Sequence, residues 1–336
     1  MMTNLKIWAI TAALMLGAAL PAAAAPVVIG YVPSEKGLEA TLNSVDLSSY
    51  SHLMIAFANP DTSGAWLSGD SLACMPDTAG ANVTAASLLA AVTKAHAGGQ
   101  KVLLSIAGGI LPSCAGNWAE LAGGGQRDAL VKSLVAVVDA YGFDGVDVDI
   151  ESATLTQLVN DNTYVPLVAA LSKAMKAKGR LLTVATASYV GGTVPLKALP
   201  YFDYVGIMSY DDTTPGNAHS SYAKARAEVD FWLGRGVAKD KLILGVPFYG
   251  YGYGDYKAAY AYRDLVAQFG ADAAAAGDVL GQICATCSYV TYNGPAILTQ
   301  KAQMAKKKAG GVMVWEISQD AADGTLIKAV QAGLAN

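Results

Sequence analysis

The sequence predicts a single α/β domain folded as a (β/α)8 TIM barrel, with one modest elaborated loop after the seventh strand. Three observations carry that prediction. Short apolar runs alternate with helical segments eight times along the chain. The runs are rich in Val, Ile and Leu without strict polar alternation, as parallel strands covered by helices require. Charged residues make up 15% and hydrophobic residues 53% of the 336, against roughly 25% charged in an ordinary soluble domain. Such a composition excludes disorder and calls for deep burial on both faces of the sheet.

Residues 1–24 read as a signal peptide and residues 25–336 as the barrel. Lys6 gives a short positive start, Ile7 to Leu20 an apolar run too short for a comfortable membrane span, and Ala22 to Ala25 the small residues a signal peptidase reads. Cleavage is expected just before Ala25, so the mature protein should be secreted, extracellular or periplasmic, with no membrane attachment. Losing Lys6 leaves 22 basic against 27 acidic residues, a net charge of -5 instead of -4. An acidic protein of pI near 5.4 is a poor partner for nucleic acid. A monomer is expected.

The strands are expected at 27–32, 52–58, 101–106, 143–150, 181–187, 204–209, 242–247 and 312–315. Helices are expected at 85–97, 126–141, 165–178, 222–235, 297–308 and 321–332. Pro166 suits a first helical turn, and the connections after the first and fifth strands read as short or irregular helices. No Pro/Ser-rich linker divides the chain. The stretch 251–293 is rich in tyrosine and alanine and forms the elaborated loop.

In an exported chain the four cysteines read as two disulfides. Of three connectivities, Cys74–Cys114 and Cys284–Cys287 are favoured, because each pair lies in neighbouring or identical loops. Cys284-Ala-Thr-Cys287 has the spacing of a redox dithiol, yet no strand leads into it and no clear helix follows. His52, His96 and His219 are scattered, so no metal site is expected, and no cofactor. Trp66 reads as a surface platform, Trp118 as a packing residue.

The segment Asp144-Gly145-Val146-Asp147-Val148-Asp149-Ile150-Glu151 carries the chemistry. Alternation along a strand puts Val146, Val148 and Ile150 on one face and Asp147, Asp149 and Glu151 on the other, the barrel interior. Two full charges about 7 Å apart repel by roughly 2 kcal/mol at an effective dielectric of about 20. Burial adds to this, so one carboxyl should stay protonated near neutral pH. The strand runs offer only Lys101 as a counter-charge, far from the rim. The interleaved Val-Val-Ile argues against a calcium loop.

This octapeptide resembles the DxxDxDxE signature of family 18 glycoside hydrolases, the chitinases. Ser105-Ile-Ala-Gly108 resembles the SxGG motif of that family, with Ala107 in place of its first glycine. Met208-Ser-Tyr210-Asp211 resembles MxYD, and Trp315 resembles the tryptophan that floors the scissile sugar. The matches fall in order across nearly the whole expected mature chain.

The resemblance implies a retaining, substrate-assisted hydrolysis of β-1,4 links between N-acetylglucosamine units, with chitin or related glycans as partner. Glu151 would be the general acid and later the base. Asp149 would orient the substrate acetamide and stabilise the oxazolinium ion that forms, and Tyr210 would hold the acetamide from the other side. Asp147 would share a proton with Asp149, supported by Ser105 and Tyr31. Phe57, Gly108, Met208, Asp211, Tyr249 and Trp315 would shape the substrate site. The loop at 251–293 is shorter than the wall of deep-cleft relatives, which implies an open groove and internal cleavage. Glu151 is expected to have a raised pKa from burial and neighbouring acids, such that Asp147→Asn would lower it. Three competing readings share these residues: an endo-β-N-acetylglucosaminidase on N-glycans, a non-catalytic chitin-binding lectin, and a two-carboxylate glycosidase using Glu316 or Asp211 as nucleophile.

Overall fold

Eight apolar runs pair in parallel and close on themselves in the computed structural model, which describes residues 26–189, 193–270, 273 and 278–336. The expected signal peptide lies outside the described residues. The strands are β1 (Val27–Pro33), β2 (His52–Ala58), β3 (Lys101–Gly108), β4 (Gly145–Ile150), β5 (Leu181–Ala187), β6 (Tyr204–Met208), β7 (Leu242–Pro247) and β8 (Gly311–Trp315). Each pairs with its sequence neighbours, and β1 closes the ring against β8. This is the (β/α)8 barrel that the alternation predicts.

Period-2 alternation divides each strand between two cores. Inward residues such as Ile29, Met54, Leu103, Ile243 and Met313 fill the barrel, while Val146, Val148 and Ile150 belong to the larger shell between strands and helices. That shell is covered by Ala85–Ala97, Arg127–Tyr141, Tyr164–Lys176, Tyr222–Gly234, Pro295–Lys308 and Thr325–Ala335. After β1 comes a short helix, Leu38–Ser44, and after β5 a 3-10 turn, Leu196–Tyr201. Among the described residues no helix is long and apolar enough to cross a membrane.

The helix Ser152–Asn160 was not expected from sequence. Its buried face is only Leu155 and Leu158, too narrow a stripe to read as a period. Asn162, with φ +57°, breaks the chain before the next helix, Tyr164–Lys176. There Pro166 is the third residue, where its missing N–H costs no intrahelical bond. The last helix starts at Thr325 rather than at 321, because Asp320 accepts the N–H groups of Leu326 and Ile327, each at 2.9 Å.

Two small antiparallel sheets sit on the connections. One joins Leu67–Ser68, Ser71–Pro76 and Asn82–Thr84 after β2; the other joins Ala259–Ala261, Tyr249–Tyr253, Tyr289–Thr291 and Val279–Gly281 after β7. A disulfide between Cys74 and Cys114 ties the first sheet to the loop after β3, and Cys284–Cys287 closes the tip of the second. Trp66 is not a surface platform. It is 1% exposed, packs edge-on against Trp118 at 6.0 Å, and its indole N–H donates to the Leu130 carbonyl at 3.3 Å. Burying a large ring with its one polar atom satisfied is worth more than leaving it in water. Trp118, which donates to Asn59 at 2.9 Å, is the packing residue expected.

Candidate active site

Strand register builds the site in layers. Ser105 on β3, Asp147 on β4 and Thr183 on β5 sit side by side. All three are buried, and both hydroxyls donate to the Asp147 carboxylate, at 2.8 and 2.6 Å. Tyr31 of β1 reaches across the barrel to donate a third bond at 2.8 Å. Burial pushes the Asp147 carboxyl above its ordinary range, and the three hydroxyls pull the other way.

One layer higher, Asp149 is again buried, level with Ala107 of β3. Its carboxyl is hydrogen-bonded to that of Glu151, and its Oδ1 is an acceptor with no partner. Burial, then the charges of Glu151 and Asp147, hold its pKa well above the ordinary aspartate value. The carboxyl contact seen is thus between Asp149 and Glu151, while Asp147 receives its three hydroxyls. Glu151 is the first residue beyond β4, where the extended backbone turns into the helix Ser152–Asn160. Burial and then the Asp211 charge lift its carboxyl to about 7. Asp147 does not figure among those causes, so the charge to remove is Asp211. Among the described residues no Lys, Arg or His comes within ion-pairing distance of these three acids.

The acids open into a cleft of about 570 Å³ at the C-terminal rim of the strands. Tyr31, Phe57, Asp149, Glu151, Met208, Tyr210, Asp211 and Trp315 all line it. Trp315 and Phe57 are stacked with ring centroids 5.5 Å apart, and Tyr31 leans on Trp315 at 5.4 Å. Ala107 and Gly108 take φ of +76° and +92° in succession, lifting the chain over Phe57. A Cβ on Gly108 would lie 2.7 Å from that ring, so glycine is required there. The alanine at 107, where the resembled motif has glycine, bears the left-handed conformation all the same.

Tyr210 follows the end of β6, and burial with the charges of Asp211 and Asp149 holds its phenol protonated. Asp211, at φ +65°, is fixed by two tyrosines of the small sheet. Tyr249 donates to its Oδ1, as does Tyr251 at 3.0 Å. Tyr249 thus stands behind the cleft rather than in it. Glu316 is buried, and its two oxygens accept from the N–H and hydroxyl of Ser318 at 2.9 and 2.7 Å; it does not face the cleft.

Sequence reasoning missed Thr183 and Gly109. Thr183 was open to inference, as the polar inward residue one strand over from Asp147. Gly109 was not: a Cβ there would come 2.8 Å from Glu151 Oε1, a fact only the fold reveals.

A family model described as Glycosyl hydrolases family 18 matches residues 27–320. Probable chitinase 10 of Drosophila melanogaster is 31% identical over 179 residues, covering 45% of this chain and 8% of that protein. The chain therefore spans under a tenth of that relative's length. The Class V chitinase of Arabidopsis thaliana is 25% identical over 343 residues, covering 88% of this chain and 86% of its own. Among solved structures, the GH18 chitinase ChiB from the chitin utilization locus of Flavobacterium johnsoniae superposes with a TM-score of 0.76 at 28% identity, over 92% of this chain and 94% of that one.

Proposed function

We propose that this chain, which belongs to glycosyl hydrolases family 18, is an exported, endo-acting chitinase that works by a retaining, substrate-assisted mechanism. The observation that carries the reading is the stack of Asp147, Asp149 and Glu151, without a cation beside it among the described residues, beneath an aromatic-floored cleft, with an unpartnered Asp149 oxygen beside an acid lifted to about 7. Buried polar atoms without partners are rare, and this one suits the N–H of a substrate acetamide.

Each of those positions has a part in the proposed reaction. Glu151, protonated below about pH 7, donates its proton to the bridging oxygen as the glycosidic bond breaks. The acetamide carbonyl oxygen attacks the anomeric carbon, its N–H held by Asp149 and the group braced by Tyr210. The proton handed over is the one that Glu151 and Asp149 share across their hydrogen bond, so its departure leaves an Asp149 carboxylate to meet the positive charge on the resulting oxazolinium ion. Glu151, now ionised, takes a proton from the water that opens the ring, so the anomeric configuration is retained. Trp315 stacks the apolar face of the sugar, and Asp147 with its three hydroxyl donors supports the acid above it.

Internal cleavage is supported by the small sheet after β7, none of whose described strand residues lines the cleft. Export is supported by the apolar run behind Lys6 and by two disulfides, which persist in oxidising compartments. The purified chain should cut a hexamer of N-acetylglucosamine at interior links, giving dimers to tetramers at the earliest times. No cleavage of the hexamer together with glycan release from a high-mannose glycoprotein would replace chitin with N-glycans as the substrate.

A further inference from the structure

Met208 and Tyr210 face the cleft, so Ser209 between them turns outward into the shell. An apolar residue would serve a stable shell best, yet this serine is fully buried among charges. Its hydroxyl donates to Glu228 Oε2 at 2.5 Å. The other Glu228 oxygen accepts from Ser188, next to the end of β5, at 2.7 Å. The Ser209 carbonyl accepts from the Ser220 hydroxyl at 2.6 Å. Lys301, on the helix Pro295–Lys308, is buried completely and spends its three donors on Ser220 O, Ser220 Oγ and Asn293 Oδ1, each at 2.6 Å. Asn293 returns a bond to Ser220 O at 2.8 Å.

The geometry makes this a clamp on one excursion of the chain. Asp212 N–H donates to the His219 carbonyl at 3.1 Å, so the segment that carries Tyr210 and Asp211 leaves and returns through a single neck. Lys301 and Asn293 grip one side of that neck at Ser220, and Glu228 grips the other at Ser209. A buried carboxylate and a buried ammonium both cost folding free energy, and neither touches the cleft.

We propose that Glu228 and Lys301 are positioning residues for the reaction. Acting through Ser209 and Ser220, they set where Tyr210 stands relative to the sugar and to Glu151. The inference rests on the glycosidase reading above.

The test is the turnover of the full chain on the acetylated hexamer for Lys301→Met, Glu228→Gln and Ser220→Ala, each made alone and in a Tyr210→Phe background. Ser220→Ala removes one hydroxyl only and keeps the test alive if a charge variant folds poorly. Each single change should lower kcat, by about tenfold for Lys301→Met, with KM within about twofold, since misplacing a catalytic group by a fraction of an ångström has effects of this order. In the Tyr210→Phe background the same changes should cost under about twofold, because the group they position is already gone. A purely structural role reduces the active fraction equally in both backgrounds. Unchanged kcat in all three, or equal losses in both backgrounds, overturns the inference. The parent is assayed alongside: an inactive parent overturns the glycosidase reading and this inference with it, whereas an active parent with equal losses overturns this inference alone.

Discussion

Inside the barrel, Asp147, Asp149 and Glu151 rise in a column with no cation beside them among the described residues. Just outside the wall, Glu228 and Lys301 are as deeply buried, yet each of their polar atoms is hydrogen-bonded. In the column, burial and mutual repulsion push Asp149 and Glu151 toward their protonated forms. In the clamp, burial lowers the Lys301 ammonium to about 7, but every polar atom of the pair has a hydrogen-bond partner. Buried ionisable groups thus serve two ends here: poised to exchange a proton in one place, pinned by hydrogen bonds to fix a backbone in the other.

The largest effect tests the column. Glu151→Gln should lower kcat by about 10³-fold, the usual scale for a lost general acid, while calorimetry should find oligomer binding intact. Retained turnover would take the column out of the chemistry.

Stability separates the two regions by sign. In the folded state Asp147 and Asp149 keep protons that the unfolded chain releases near its ordinary value of 3.8. Their contribution is therefore full below that pH and is lost as pH rises through the raised folded values. Asp149→Asn removes a disfavoured charge and should raise Tm at pH 7 by about 2 °C, although activity is lost. Lys301→Met removes three buried hydrogen bonds, leaving Asn293 Oδ1 and Ser220 Oγ without that donor, and should cost about 3 kcal/mol in denaturant unfolding. The same sign for both would erase the contrast.

Smaller changes sharpen it. A Cβ at position 109 intrudes on Glu151 Oε1, so Gly109→Ala should reduce kcat about tenfold with little change in Tm. Asp211→Asn takes away the charge that helps raise Glu151. The alkaline limb of the pH dependence of kcat/KM should then move down from about 7, by about half a pH unit to one unit. An unmoved limb would leave burial alone as the cause.

The column could be read from sequence because period-2 alternation is a local rule: once 144–151 is a strand, its three acids must share a face. The barrel was legible for the same reason, in runs of Val, Ile and Leu that suit strands buried on both sides. What escaped depended on partners far along the chain. Lys301 meets Ser220 at a separation of 81 residues, and Trp66 meets Leu130 at 64. Nothing local marks either contact. The helix Ser152–Asn160 escaped because two leucines do not make a period, and the antiparallel strands because they are two to six residues long.

The central claim is that the acetamide of the substrate supplies the nucleophile while Glu151 supplies the proton. It is tested most directly by giving the enzyme two hexamers of equal length, one fully N-acetylated and one of plain glucose, and following the anomer first released by NMR. The account expects cleavage of the acetylated hexamer alone, with the β-anomer released first. Equal cleavage of the glucose hexamer, or release of the α-anomer first, would contradict it.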